Sequence, residues 1–158
     1  MNQFLRLHQL TTQFDHLLQE WGGALLNLGL RIFVGWQFLK AGMIKVQDWE
    51  GTLSLFREEY AVPLLPPELA AFMGAGGELF LPLLLITGLF SRPAALGLFV
   101  VNTMAVISYP QLWKFECPAA INDHLYWGLL LLVFLVFGAG KFSLDSWINS
   151  YYKRNQST

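Results

Sequence analysis

Four long apolar runs, separated by short polar stretches, set the architecture of this chain. They extend over about Gly23–Ile44, Leu69–Phe90, Pro93–Tyr109 and His124–Gly140. A helix crossing a bilayer needs roughly 20 mostly apolar residues, and the runs approach or reach that length. The last two are short for a crossing and call for flanking residues to extend them. Residues 4–21 have a different pattern. Leu7, Leu10, Phe14, Leu17, Leu18 and Trp21 fall at helical spacing opposite Arg6, Gln9, Gln13, His16 and Glu20, the pattern of a helix lying flat in a membrane surface. Between the first two runs, Trp49, Leu53, Phe56 and Tyr60 alternate with Glu50, Ser54, Arg57, Glu58 and Glu59, and Pro63–Pro67 closes the segment. The expected fold is all-α: an integral membrane four-helix bundle with an N-terminal amphipathic surface helix and a short amphipathic helix in the first outer loop. The expected division is 1–22 inner-surface helix, 23–148 four-helix membrane domain and 149–158 polar cytoplasmic tail.

Polar residues inside the runs are the exceptions that matter. Arg31 and Lys40 interrupt the first, Glu78 is the only charge in the second, and Asn102 is the one strongly polar residue in the third. A lone charge at the bilayer centre costs several kcal/mol (roughly 2.5–3.5 on insertion scales), so such groups face protein, pair, and mark function. Arg31 is eight residues into its run and Glu78 and Asn102 nine into theirs, a depth of about 12–14 Å at a rise of about 1.5 Å per residue. Counted from opposite membrane faces, the three converge on one level, and the spacing predicts an Arg31–Glu78 ion pair. Arg31 shares a helix face with Gly35, Phe38, Gly42 and Lys45, and Glu78 with Ala71, Gly74 and Leu85. Small residues beside the charges let helices approach closely. Pro82 leaves the Glu78 carbonyl without its helical donor, which predicts a bend beside the carboxylate.

Two readings of these charges stay open. One is an ion pair that only fixes helix register; the other is a polar pocket that binds a small molecule or passes protons. His124, beside Asn122 and Asp123 at the outer end of the fourth run, either lies at the headgroup boundary or joins Gln37, Lys40 and Glu68 in an outer vestibule. The candidate ligand-binding or proton-relay residues are therefore Arg31, Lys45, Glu78, Asn102 and His124.

Composition sharpens this picture mainly by exclusion. Of 158 residues, 54% are hydrophobic and 13% charged, about half the charged share of ordinary soluble domains. The net charge of −1 with ten scattered basic residues gives no surface for nucleic acid. One cysteine, Cys117, excludes an intramolecular disulfide, a CxxC centre and a cysteine-rich metal site. His8 and His16 lack a third ligand, so no metal site is expected. The N-terminal 20 residues do not read as a cleavable signal peptide. Arg6, Arg92, Lys141, Lys153 and Arg154 lie on the side of the termini against Lys40, Lys45, Arg57 and Lys114 on the other. That bias predicts cytoplasmic termini, with Trp21 and Trp147 anchoring the inner face and Trp49, Tyr109 and Trp113 the outer. No nucleophile–base arrangement, phosphate loop or haem-ligand pair is present, which argues against an enzyme in its own right.

The segments LRIFVGWQFLKAGMIKV (Leu30–Val46), GELFLPLLLITGLFSRPAALGLFVVNTMAV (Gly77–Val106) and FGAGKFSLDSWI (Phe137–Ile148) resemble the DoxX family of small bacterial membrane proteins. The shared marks fall on Arg31, Gly42 with Lys45, Glu78, Arg92 after a Gly-Leu turn, Gly138 with Gly140, and Ser143–Asp145. Ala139 stands where the family often has proline. The resemblance implies a four-helix bundle in the bacterial plasma (inner) membrane and a loose link to thiosulfate and quinone redox chemistry or to oxidative and metal stress. A quinone is the cofactor it suggests. Relatives that handle thiols carry paired cysteines, absent here. The expected function is a membrane subunit of a redox or stress-response system binding a quinone-like or other small apolar ligand at a buried Arg/Glu/Asn site. The alternative is a non-enzymatic membrane scaffold or small transporter in a metal or oxidative stress pathway. Expected partners are the lipid bilayer, a soluble redox or stress protein, and a second copy of the chain in a homo-oligomer, the last from the small-residue faces.

Overall fold

A computed structural model describes residues 12, 15–16, 18–114 and 119–156. Most of the expected N-terminal surface helix, with His8, and the segment holding Cys117 lie outside the described residues. Six α-helices follow a π-helical turn at Leu18–Gly22: α1 Gly23–Gln47, α2 Trp49–Glu58, α3 Pro67–Thr87, α4 Ser91–Ser108, α5 Ala119–Phe137 and α6 Leu144–Gln156. A 3-10 turn, Pro110–Trp113, follows α4. Among the described residues three helices, α3, α4 and α5, are long and apolar enough to cross a membrane. The protein is an all-α, multi-pass membrane protein. The fourth run begins earlier than its apolar stretch, at Ala119, because polar Asn122, Asp123 and His124 form its first turns. That supplies the length it lacked. Residues 149–156 belong to α6.

Side chains sort by the bundle they build. Val34, Phe38, Leu85, Ala94, Ala95, Leu98, Leu131 and Phe134 form the main core. Large apolar side chains point outward along the same helices, among them Phe80 at 63% exposed. Such a coat is costly in water and suits hydrocarbon. Helix α1 packs against α3, α3 against α4, and α4 against α5. The glycines permit this closeness. A Cβ on Gly42 would come within 3.0 Å of Glu78 backbone and side-chain carbon, and one on Gly97 within 2.7 Å of Leu81. Helix α3 runs on through Pro82, which is fully buried.

Caps fix the ends. Asp48 accepts a hydrogen bond from Gly51 N–H at 3.0 Å and starts α2, as N-cap residues do. Proline at the first position opens α3. Its close is Gly88, held at φ +69°, whose N–H reaches the Leu85 carbonyl while Leu89 N–H bonds Leu84, the geometry of a glycine C-cap. Phe90 and Ser91 begin α4 without a cap of their own. Asp145, from α6, supplies it: its carboxylate accepts from Phe90 N–H, Ser91 N–H and the Ser91 hydroxyl at 2.9, 3.0 and 2.7 Å. The α3–α4 turn is thus sewn to the first turn of α6.

Candidate functional site

The polar residues form two separate clusters, and the expected Arg31–Glu78 pair is not made. Arg31, fully buried, donates from Nε to Asn27 Oδ1 (3.0 Å), from Nη1 to the Leu85 and Ile86 carbonyls (3.2 Å each) and from Nη2 to the Phe142 carbonyl (2.5 Å). Asn27 in turn donates to the Gly138 carbonyl at 3.1 Å. These acceptors include two carbonyls of the last turn of α3, where the i+4 helical donors run out; Leu85 also keeps the Gly88 N–H. Among the described residues Arg31 makes no direct ion pair, and the carboxylate whose charge acts on it is Asp145. Burial pushes the Asp145 carboxyl up, but hydrogen bonds from Ser91 and Phe90 and the Arg31 charge outweigh it, and the group lies below the usual aspartate value.

Helix register explains the correction. Gly42 of α1 abuts Glu78, Gly35 abuts Pro82 and Ile86, and Arg31 reaches Leu85 and Ile86. The Arg31 guanidinium therefore lies about seven to eight residues of α3, or roughly 11–12 Å, from the Glu78 level. Equal depth counted from opposite faces assumed boundaries that composition does not locate so finely.

Glu78 pairs instead with Lys45, two heptads beyond Arg31 on the same face of α1. Lys45 Nζ donates to Glu78 Oε2 at 2.6 Å. The Thr52 hydroxyl bonds the Lys45 carbonyl at 2.9 Å, tying the end of α1 to α2. Asn102 and His124 make a second pair: Asn102 Oδ1 and His124 Nδ1 lie 2.8 Å apart, and Asn102 Nδ2 donates to the His124 carbonyl at 2.9 Å. The amide thus locks α4 to α5. The His124 ring lies edge-on to Trp127, 5.1 Å between centroids.

Two cavities flank the Lys45–Glu78 pair. One, of about 330 Å³, is walled by apolar side chains of α2, α3 and α4, such as Phe56, Ala70, Met73 and Met104. The other, about 260 Å³, lies toward α1 and α5 and includes Gln37, Tyr109, His124 and Trp127. Lys45, Tyr60, Glu78, Val101 and Ala105 line both, so the ion pair and a phenol separate them. Tyr60 stacks on Phe56 (4.6 Å) and Tyr109 (5.0 Å). Burial first, then the Glu78 charge, push its hydroxyl up to about 12, so it stays protonated.

Of the expected site residues, Lys45, Glu78 and His124 come together around these cavities. Asn102 contacts His124, and Arg31 stands apart. Tyr60 was legible only as one apolar position of the amphipathic segment and Ser108 not at all; as site residues neither carried a chemical signal in the sequence. Among the described residues no group of three or more His, Cys, Asp or Glu side chains is placed to hold a metal.

No solved structure matches the chain. An uncharacterized protein of Haemophilus influenzae is 30% identical over 143 residues, covering 87% of this chain and 93% of that protein. The DoxX family model matches residues 26–110, which include Arg31, Lys45, Glu78 and Asn102. Helices α3 and α4, and α1 from its fourth residue, fall inside that match together with the Lys45–Glu78 pair, and the chain belongs to the DoxX family.

Proposed function

We propose that the protein binds a small, lipid-soluble, quinone-like ligand against Lys45–Glu78 and serves as a membrane subunit of a redox or stress-response system. The observation that carries this reading is the 330 Å³ apolar cavity with a partly buried ion pair in its wall. Small-molecule sites combine mostly apolar walls with a few placed polar groups. Glu78 accepts a proton from the headgroup hydroxyl when the ligand is in its reduced form, and Lys45, in the role first expected of Arg31, holds Glu78 ionised and donates to the carbonyl oxygen of the oxidised form. A carboxylate so positioned suits proton transfer. Asn102 orients His124 rather than touching the ligand. In this reading α1 is a fourth crossing. Its 25 residues give about 37 Å at helical rise, and its buried charges have partners within the bundle. The termini face the cytoplasm of a bacterial inner membrane, as the loop charges favour.

The test is equilibrium binding of decylubiquinone to the protein in nanodiscs, read by tryptophan quenching. Wild type should saturate, and Glu78→Gln should weaken binding at least tenfold with an unchanged helical spectrum. A protein that never saturates, or a folded Glu78→Gln variant that binds like wild type, defeats the proposal.

A further inference from the structure

The cavity wall holds one polar group that the folded chain leaves unused. Ser108, at the end of α4, is 1% exposed, and its Oγ is buried without a hydrogen-bond partner. A helical serine or threonine has an easy alternative, the carbonyl four residues back. Thr103 takes it at Phe99, as Thr87 does at Leu83. Ser108 does not, although a buried hydroxyl left unpaired is unfavourable. Its backbone is fixed by the Ala61 N–H, which donates to the Ser108 carbonyl at 2.8 Å.

Ser108 lines the same cavity as Lys45 and Glu78. Gly77 of α3 lies against Val101 of α4, so Ser108 stands about seven residues, or about 10 Å, outward of that level. The cavity thus has two polar ends with apolar walls between them. Met73 and Val100, which also line it, are 55% and 52% exposed. They mark its side toward the bilayer, between α3 and α4.

We infer that Ser108 is a ligand-binding residue, which donates to the outer end of a ring-shaped headgroup bearing acceptors at opposite ends, while the tail leaves between Met73 and Val100 into lipid. This rests on the reading of the cavity as a ligand site and specifies the class: a two-ended polar ring on an apolar chain. The unpaired hydroxyl of the free protein finds its partner in the ligand. Discrimination follows from the same physics, because a ring without the outer acceptor leaves Ser108 unsatisfied.

The experiment compares two probes, decylubiquinone and decylbenzene, which has the ring and chain without the oxygens. Both are titrated into wild type, Ser108→Ala and Ser108→Thr in nanodiscs. Ser108→Ala should weaken decylubiquinone about tenfold, the scale of one buried hydrogen bond. It should leave decylbenzene within twofold, and Ser108→Thr should restore decylubiquinone binding. Met73→Trp should slow decylubiquinone association by crowding the exit. Equal decylubiquinone affinity for wild type and Ser108→Ala overturns the inference, as does equal loss of both probes. If decylubiquinone binds wild type no better than decylbenzene, the acceptor requirement is wrong. If neither probe saturates wild type, the ligand-site reading itself fails and takes this inference with it.

Discussion

Replacing Arg31 by methionine should unfold the bundle more readily than any change at the Lys45–Glu78 cavity. The side chain is fully buried and donates four hydrogen bonds, three to backbone carbonyls on two segments. Hydrogen bonds from a charged donor contribute about 1.5–3 kcal/mol each. Their sum overstates the effect, because the guanidinium also loses its hydration on burial. Removing one member of a buried charged cluster costs about 3–5 kcal/mol, and that figure fits here. The Leu85 carbonyl keeps the Gly88 N–H, whereas Ile86 and Phe142 lose the arginine and Asp145 loses its cation. For a chain of this size the loss corresponds to a fall in Tm on the order of 10 °C. Thermal melts in one detergent, followed by near-UV circular dichroism, measure it. Arg31→Lys should fall between the two, since an ammonium cannot span acceptors on separate segments. A drop of less than about 3 °C for Arg31→Met would refute the view of Arg31 as the joint between α1, the end of α3 and the 138–143 loop.

Other outcomes follow from the same geometry. Asp145→Asn removes the charge that caps α4 and faces Arg31 and should lower stability by about 1–2 kcal/mol, read from the same melts. Because the folded Asp145 carboxyl lies below its ordinary value of 3.8, its contribution is complete above that value and fades as pH falls through the lower folded one. Wild type should therefore lose its advantage over Asp145→Asn only in strong acid. Tyr60 works in the opposite direction: the unfolded phenol ionises near 10 and the folded one near 12. Wild-type stability should fall as pH rises through that interval and be flat in Tyr60→Phe once the other tyrosines are subtracted. Gly42→Val would drive a methyl group into Glu78, whose atoms lie 3.0 Å from an added Cβ. Overpacking of this kind costs about 1–3 kcal/mol, and chemical crosslinking between α1 and α3 should report their separation.

Much of the fold could be read from periodicity and composition. The apolar runs of α3, α4 and α5 announce themselves by length, and α2 by its alternation of aromatic and charged residues. The faces were legible too: Arg31, Gly35, Phe38 and Gly42 are all buried on α1 as their 100° spacing requires. Register was not. Lys45 and Arg31 share one face; the depth count favoured Arg31 as the partner of Glu78, and the stagger of α1 against α3 selects Lys45 instead. Gly42 holds that stagger by admitting Glu78, a steric fact invisible to hydropathy. Arg31 found carbonyls instead, and a backbone acceptor has no letter in the sequence. The small-residue faces raised the expectation of self-association, but Gly35, Gly42 and Gly97 are used inside the chain, whereas Gly29 and Gly76 face open space. Ser108 escaped notice because its importance lies in a bond it does not make.

Native mass spectrometry of gently extracted protein tests the central claim, that a lipid-soluble molecule occupies the space beside Lys45 and Glu78, most directly. Wild type should carry a discrete added mass of an amphiphile, retained by an Asn102→Ala control and stripped by Glu78→Gln or by Ala105→Trp, which fills the cavity. A bare polypeptide mass for wild type under conditions that keep it folded, or an adduct equally held by every variant, would contradict the account.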